Sequence, residues 1–211
     1  MDLSIKRLLV VCSVLACATA IDVELATTIS AAPVEAQAIA DHLSSVKSMS
    51  GDFVQTSPRG EKTSGRFLLQ RPGKIRFNYG RQSGVSVIAD GKSLVVLNRK
   101  LKTSRLYALS KTPLKLLLDN NVDFSGRRLK SIRDDGAQVT IRLADKSSFG
   151  NSTITLVFDR KSLDLRRWSV TDEKGLATTV SIFNVKEGVA VAAENFVIDY
   201  TANREFNTRK K

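Results

Sequence analysis

The stretch Gly65-Arg66-Phe67-Leu68-Leu69-Gln70-Arg71-Pro72-Gly73-Lys74-Ile75-Arg76-Phe77-Asn78-Tyr79 decides the fold. It reads as two extended segments, Gly65 to Arg71 and Lys74 to Tyr79, joined by an Arg-Pro-Gly corner. Alternate residues of a strand share a face. Phe67, Leu69 and Arg71 therefore share one side of the first segment, and Ile75, Phe77 and Tyr79 one side of the second. Arg71 continues an apolar row. Its guanidinium sits either at the rim, in water, or in an apolar concavity where it needs an anionic or carbonyl partner. Pro72 donates nothing to a ladder and fits a strand start or edge.

The same period-two pattern extends outward from this corner. Before it, Asp52 to Ser57 puts Phe53 and Gln55 on one face. After it come Val85 to Ala89, an Asp90-Gly91-Lys92 hairpin turn, the return strand Ser93 to Asn98, and Lys102 to Tyr107. Six strands with short Gly- or Asp-containing links predict an antiparallel meander. Further strands are expected at Arg128 to Arg133, Gln138 to Leu143, Thr153 to Phe158, Leu165 to Thr171, Leu176 to Val185 and Asn195 to Tyr200. Asp145 to Ser152 reads as a polar loop, and Arg204 to Lys211 as a basic tail.

Two segments change the period. From Ala36 to Met49, Ile39, Leu43 and Val46 recur at helical spacing, ended by Ser50-Gly51. Lys111 to Asp119 holds four leucines behind Thr112, a candidate N-cap, and Pro113 at the first helical position. Leu114, Leu117 and Leu118 share a face, and four leucines make so short a helix more apolar than its length requires. It is expected to be a lid or plug over the sheet, the alternative being a core-packing connector. A closed barrel of this many strands leaves a lumen wider than side chains fill. The expectation is a mainly β (α+β) protein: an incomplete antiparallel β-barrel of ten or eleven strands. Two or three helices form a lid over its apolar cavity.

At 211 residues the chain suits one domain with a real core. Its first 32 residues read as a secretory signal peptide, with Lys6 and Arg7 ahead of the apolar run Leu8 to Ala16. Small residues place cleavage after Ala20 or after Ala32. Cys12 and Cys17, the two cysteines, both fall inside this segment, so the exported chain would be held by core and sheet alone. Val14-Leu15-Ala16-Cys17 loosely resembles a lipoprotein-processing box, from which the bulky Leu15 departs. The formal charge of +12 suits an anionic membrane surface or an acidic docking patch. Export and the scatter of the cations speak against nucleic acid.

Chemistry-bearing patterns are sparse. His42 is the single histidine and sits beside Asp41, off the apolar stripe, so it is expected to face solvent. No serine has an elbow context for a Ser-His-Asp arrangement, and no Cys/His cluster has zinc spacing. Gly136 marks Asp134-Asp135 as a turn. The expectation is a protein without catalytic residues, metal or cofactor.

Four blocks carry a resemblance. Phe53-Val54-Gln55, Arg71 to Tyr79, Ala89-Asp90-Gly91-Lys92-Ser93-Leu94, and Thr112-Pro113-Leu114-Lys115-Leu116-Leu117-Leu118 occur in the order and spacing of the LolA family. The strand pattern extends the likeness to about residue 200. Two departures stand out: Leu94-Val95-Val96 replaces a common Trp, and no Pro-Pro-x-Gly ending follows Phe196-Val197-Ile198.

The resemblance implies a single lipoprotein-carrier domain over 33–211, monomeric and periplasmic. Its cargo would be acylated lipoproteins, taken from an inner-membrane ABC lipoprotein-releasing complex and delivered to an outer-membrane acceptor lipoprotein. It implies that Arg71 helps hold the closed lid, formed by Ala36–Met49 and Pro113–Asp119. The residues expected to meet lipid or lid are Arg71, Phe53, Phe67, Leu69, Phe77, Tyr79, Val96, Leu114, Leu117, Leu118 and Trp168. Related proteins of this fold serve as membrane-anchored acceptors or carry other lipids, and that alternative stays open here.

Overall fold

Alternating apolar and polar residues lay down one antiparallel sheet of eleven strands. The computed structural model describes residues 36–147, 150–201 and 203. The expected signal segment, Cys17 and the basic tail from Arg204 lie outside the described residues.

The first six strands are β1 (Ser48–Thr56), β2 (Lys62–Gln70), β3 (Lys74–Tyr79), β4 (Val85–Asp90), β5 (Ser93–Asn98) and β6 (Thr103–Ala108). The other five are β7 (Leu129–Asp134), β8 (Gln138–Ser147), β9 (Gly150–Asp159), β10 (Leu165–Asp172) and β11 (Ala177–Glu187). Spatial order is β6-β5-β4-β3-β2-β1-β11-β10-β9-β8-β7. Two meanders thus meet at the β1–β11 pair, where Phe53 faces Ile182. The sheet ends at β6 and β7 and is not closed. This is the incomplete barrel that the alternation predicts.

Among the described residues, two α-helices lie against the concave side. Helix α1 (Ala36–Ser45) buries Ile39, Ala40 and Leu43. Helix α2 (Leu114–Leu118) follows a 3-10 turn over Leu109–Lys111 and buries Leu117 and Leu118. One core cluster joins α1, α2 and the inward residues of the sheet. At its centre Phe53 is fully buried, edge-on to Phe77 at 5.0 Å and to Tyr79 at 4.9 Å. Gly65, paired with both Phe53 and Tyr79, makes this possible: a Cβ there would meet the Asn78 carbonyl at 2.1 Å and the Phe53 ring at 2.8 Å.

Several expectations are corrected. The first helix ends at Ser45, and Met49 is a buried residue of β1. The cause is the ladder: Ser48 already pairs with Gln70, so the chain is extended four residues earlier than expected. Asp145 to Ser152 is no loop, since β8 and β9 continue their pairing to Ser147 and Gly150. Thr112 does not cap α2; its hydroxyl donates to the Leu109 carbonyl and closes the 3-10 turn.

Asn195 to Tyr200 is not a strand. After β11 the chain forms a 3-10 turn, Ala193–Phe196, beside β3 and β4. Ile198 joins Ile88 and Val95 in a second small cluster, and Tyr200 Oη donates to Asp90 at 2.6 Å. The alternation of Phe196 and Ile198 thus serves packing beside β3 and β4 instead of a ladder.

Candidate functional site: an apolar cavity under a clasped helix

The Arg71–Gly73 corner binds the ends of both helices through their carbonyl groups. Backbone Arg71 N–H donates to Lys47 O at 2.8 Å, and Arg71 Nε to Val46 O at 2.9 Å. Arg71 Nη1 donates to Leu117 O at 2.5 Å and to Asp119 O at 2.7 Å. Gly73 N–H donates to the carbonyl between them, Leu118 O, at 2.8 Å. The last carbonyls of a helix have no partner inside it. Here three in succession at the C-terminal end of α2 are satisfied by one corner of the sheet. Lys115 and Asp119 form an ion pair across the same helix.

Arg71 is 7% exposed, so the greasy concavity is the correct one of its two predicted settings. Burial pushes its guanidinium pKa down to about 10, against the opposing pull of Asp119. It is still a cation near neutral pH, and its partners are backbone dipoles more than a full counter-charge. Gly73, at φ +74°, lets the corner pass close to Gly91: a Cβ would lie 2.7 Å from the Gly91 Cα.

Beneath α2 lies a cavity of about 270 Å³. Phe77, Tyr79, Val96, Leu114, Leu117 and Trp168 line it, six of the residues singled out from the sequence. Phe67, Leu69, Arg71 and Leu118 border a void of about 20 Å³ beside it, shared with Leu114, Leu117 and Trp168. Phe53 lines neither and backs the cavity through its contacts with Phe77 and Tyr79. The sequence reasoning missed Gln55, Val87, Leu94, Thr112, Pro113, Ile154, Val170, Thr178 and Val180. Strand alternation alone places most of these on the inward face; the polar ones have no hydropathy signal to reveal them.

The cavity has a direction. On six strands the inward residue nearer the Arg71 corner is buried and the next one outward is half-buried. These pairs are Phe53 and Gln55, Phe77 and Tyr79, Ala89 and Val87, Leu94 and Val96, Trp168 and Val170, and Val180 and Thr178. The closed end therefore lies at the corner and the mouth at the opposite ends of the strands. At the mouth Tyr79 Oη donates to Gln55 Oε1 at 2.6 Å, and burial pushes the Tyr79 phenol up to about 12.

His42 is half-buried, contrary to its expected solvent position, with Nε2 3.0 Å from Asp164 Oδ1. This contact ties α1 to the turn between β9 and β10. One ligand atom each from His42, Asp164 and Glu187 lie within 4.8 Å of one another, a spacing a cation could bridge. Asp164 already accepts from Ser162 at 2.8 Å and has the Arg166 guanidinium 3.6 Å away, so local positive charge is supplied. This cluster is separate from the residues lining the cavity under α2.

An open antiparallel sheet wrapped round an apolar cavity, with helical leucines in its roof, defines a binding scaffold for apolar molecules. Comparison with known proteins narrows this. The family described as outer membrane lipoprotein carrier protein LolA matches residues 44–199. The chain belongs to the LolA family. It is 27% identical over 176 residues to an outer-membrane lipoprotein carrier protein of Chromobacterium violaceum, covering 79% of this chain and 85% of that one. Among solved structures it is similar to an uncharacterized conserved protein from Thermus thermophilus (TM-score 0.48, 13% identity, 79% of this chain and 96% of that one). It is also similar to a LolA superfamily protein from Nitrosomonas europaea (TM-score 0.43, 10% identity, 78% and 98%).

Proposed function

We propose that this protein is a periplasmic chaperone that carries lipoproteins by enclosing their acyl chains. It would receive them from an inner-membrane ABC complex and pass them to an outer-membrane acceptor, acting as a monomer and without covalent chemistry. The observation that carries the proposal is the occupancy of the cavity roof by Leu114 and Leu117 of a helix clasped by Arg71.

The energetics explain why a clasp is useful. Each methylene taken from water gains about 0.8 kcal/mol. A preformed trough for whole acyl chains would bind them too tightly to release. Pockets for drug-sized ligands run from about 300 Å³ upward, so a cavity of about 270 Å³ is small for lipoprotein chains. Cargo must therefore displace α2, and the clasp energy is subtracted from the gross affinity. Closure of α2 then returns its leucines to the cavity and helps expel the chains.

The test is incubation with inner-membrane vesicles carrying radiolabelled lipoproteins. The proposal expects label to move into the soluble fraction in a complex with this protein. Label that stays with the vesicles, under conditions where the Chromobacterium relative releases it, contradicts the proposal.

A further inference from the structure

The mouth of the cavity is not uniformly apolar. Most of its lining is aliphatic or aromatic, yet Gln55, Tyr79, Thr112 and Thr178 also line it. Thr112 is buried and its hydroxyl is spent on Leu109 O. Gln55, Tyr79 and Thr178 are half-buried and stand at the open end. Tyr79 donates its proton to Gln55 Oε1, so the carboxamide oxygen is occupied and the Gln55 amino group is left with two N–H donors. Apolar walls with donors gathered at the entrance match a molecule that is hydrocarbon along its length and an acceptor at its head. Ester- and amide-linked acyl chains are such molecules: their carbonyls accept and donate nothing through oxygen.

We propose that Gln55, held by Tyr79, receives the carbonyl oxygen of the acyl linkage at the cavity mouth. This inference rests on the carrier reading and adds an orientation to it. The chains enter tail first toward Phe77 and Trp168, and the linkage stops at the rim, where Gln55 faces Thr63, about 26 Å from Arg71 along β2 at ~3.3 Å per residue. Closure at the Arg71 end is thus read by chain tails, and the linkage is read at the other. Tyr79 is a positioning residue: it fixes which side of the carboxamide faces the entrance.

The test uses Trp168, the single tryptophan of the chain and part of the cavity lining, as a fluorescence reporter. The purified protein is titrated with a short-chain diacylglycerol and with the dialkyl ether of equal chain length, which lacks the carbonyls. The wild type is expected to bind the ester about two- to tenfold more tightly, the range of one net hydrogen bond. Gln55→Leu should remove that preference by weakening the ester alone, and Tyr79→Phe should reduce it. Equal affinities in the wild type, or a preference unmoved by Gln55→Leu, overturn the inference and leave the carrier reading standing. If neither probe binds, the carrier reading fails first and takes this one with it. A diacylated lipopeptide and phosphatidylglycerol then compete for the ester probe. Displacement by the lipopeptide supports a lipoprotein anchor as the source of the carbonyl; displacement by the phospholipid alone keeps the Gln55 contact and removes the lipoprotein cargo.

Discussion

The two helices on the concave face share the Arg71 corner, which also donates to Val46 O and Lys47 O just past α1, but they differ in how much burial holds them. Helix α1 is fixed by burial: Ile39 and Ala40 have no exposed surface and Leu43 is 3% exposed, all within the main core. Helix α2 has five residues, too few to be stable alone, and Leu114 and Leu116 remain half-buried. Leu117 and Leu118 anchor it in the same core, and hydrogen bonds from Arg71 and Gly73 to three successive carbonyls complete its attachment. Hydrophobic burial is diffuse and is lost gradually with area. A cluster of hydrogen bonds from one side chain can be released together. Of the two helices only α2 contributes to the cavity lining. Under the proposed carrier function, the contrast would make α1 a permanent cover and α2 a removable stopper, with the energy that keeps the fold separate from the energy that regulates cargo.

Substitutions weighted toward one helix would sharpen this contrast. The largest effect is expected at Leu43. Leu43→Ala should cost 2–5 kcal/mol of stability by urea unfolding, the usual range for a buried leucine, with acyl-probe affinity unchanged in the folded fraction. An altered affinity would break the distinction. Arg71→Leu comes next. Charge-assisted hydrogen bonds contribute about 1.5–3 kcal/mol each, and ~1.4 kcal/mol is tenfold in an equilibrium constant. Lipoprotein uptake should persist while delivery to acceptor-bearing membranes falls by about tenfold or more. Normal delivery by this variant would refute the clasp.

Leu114→Ala is expected to do less. It shortens the stopper at a half-buried position, so unfolding should shift by under about 1 kcal/mol and acyl probes should bind a few-fold more tightly. Weaker binding would mean that Leu114 is a wall for the ligand and not its competitor. The last effect, confined to alkaline pH, belongs to the mouth. The folded-state pKa of Tyr79 is raised to about 12 by burial, above the value of about 10 in the unfolded chain. Between these values the folded protein binds more protons, so its stability is complete below pH ~10 and falls as pH rises toward ~12. Tyr79→Phe should flatten that part of a pH-dependent denaturation curve.

Much of this architecture was legible in the residue pattern, and the misses have physical causes. Strict alternation around Phe67, Phe77 and Trp168 gave the sheet and its inward face, because the pleat converts sequence parity directly into side-chain direction. The end of α1 was misplaced because Val46 and Met49 continue its apolar spacing, while pairing of Ser48 with Gln70, remote in sequence, decides where the strand begins. Phe196 and Ile198 alternate as a strand would, but what the segment meets is the packing of Ile88 and Val95 and not a partner strand, which parity alone does not reveal. Within the site, Leu114, Leu117 and Arg71 could be singled out, but the match of Arg71 to α2 carbonyls is a tertiary fact. Gln55 carries no signal of its own, since a polar residue on an inward face gains meaning only when Tyr79 is seen beside it.

The separation of cover from stopper is tested most directly by distances. Spin labels at Lys115→Cys on α2 and Ala38→Cys on α1, each paired with one at Arg142→Cys on β8, report the two helices separately before and after loading with a diacylated lipopeptide. The account predicts that the α2 distance lengthens or broadens on loading while the α1 distance stays as it was. An α2 distance unchanged in the loaded complex, or an equal displacement of α1, would contradict it.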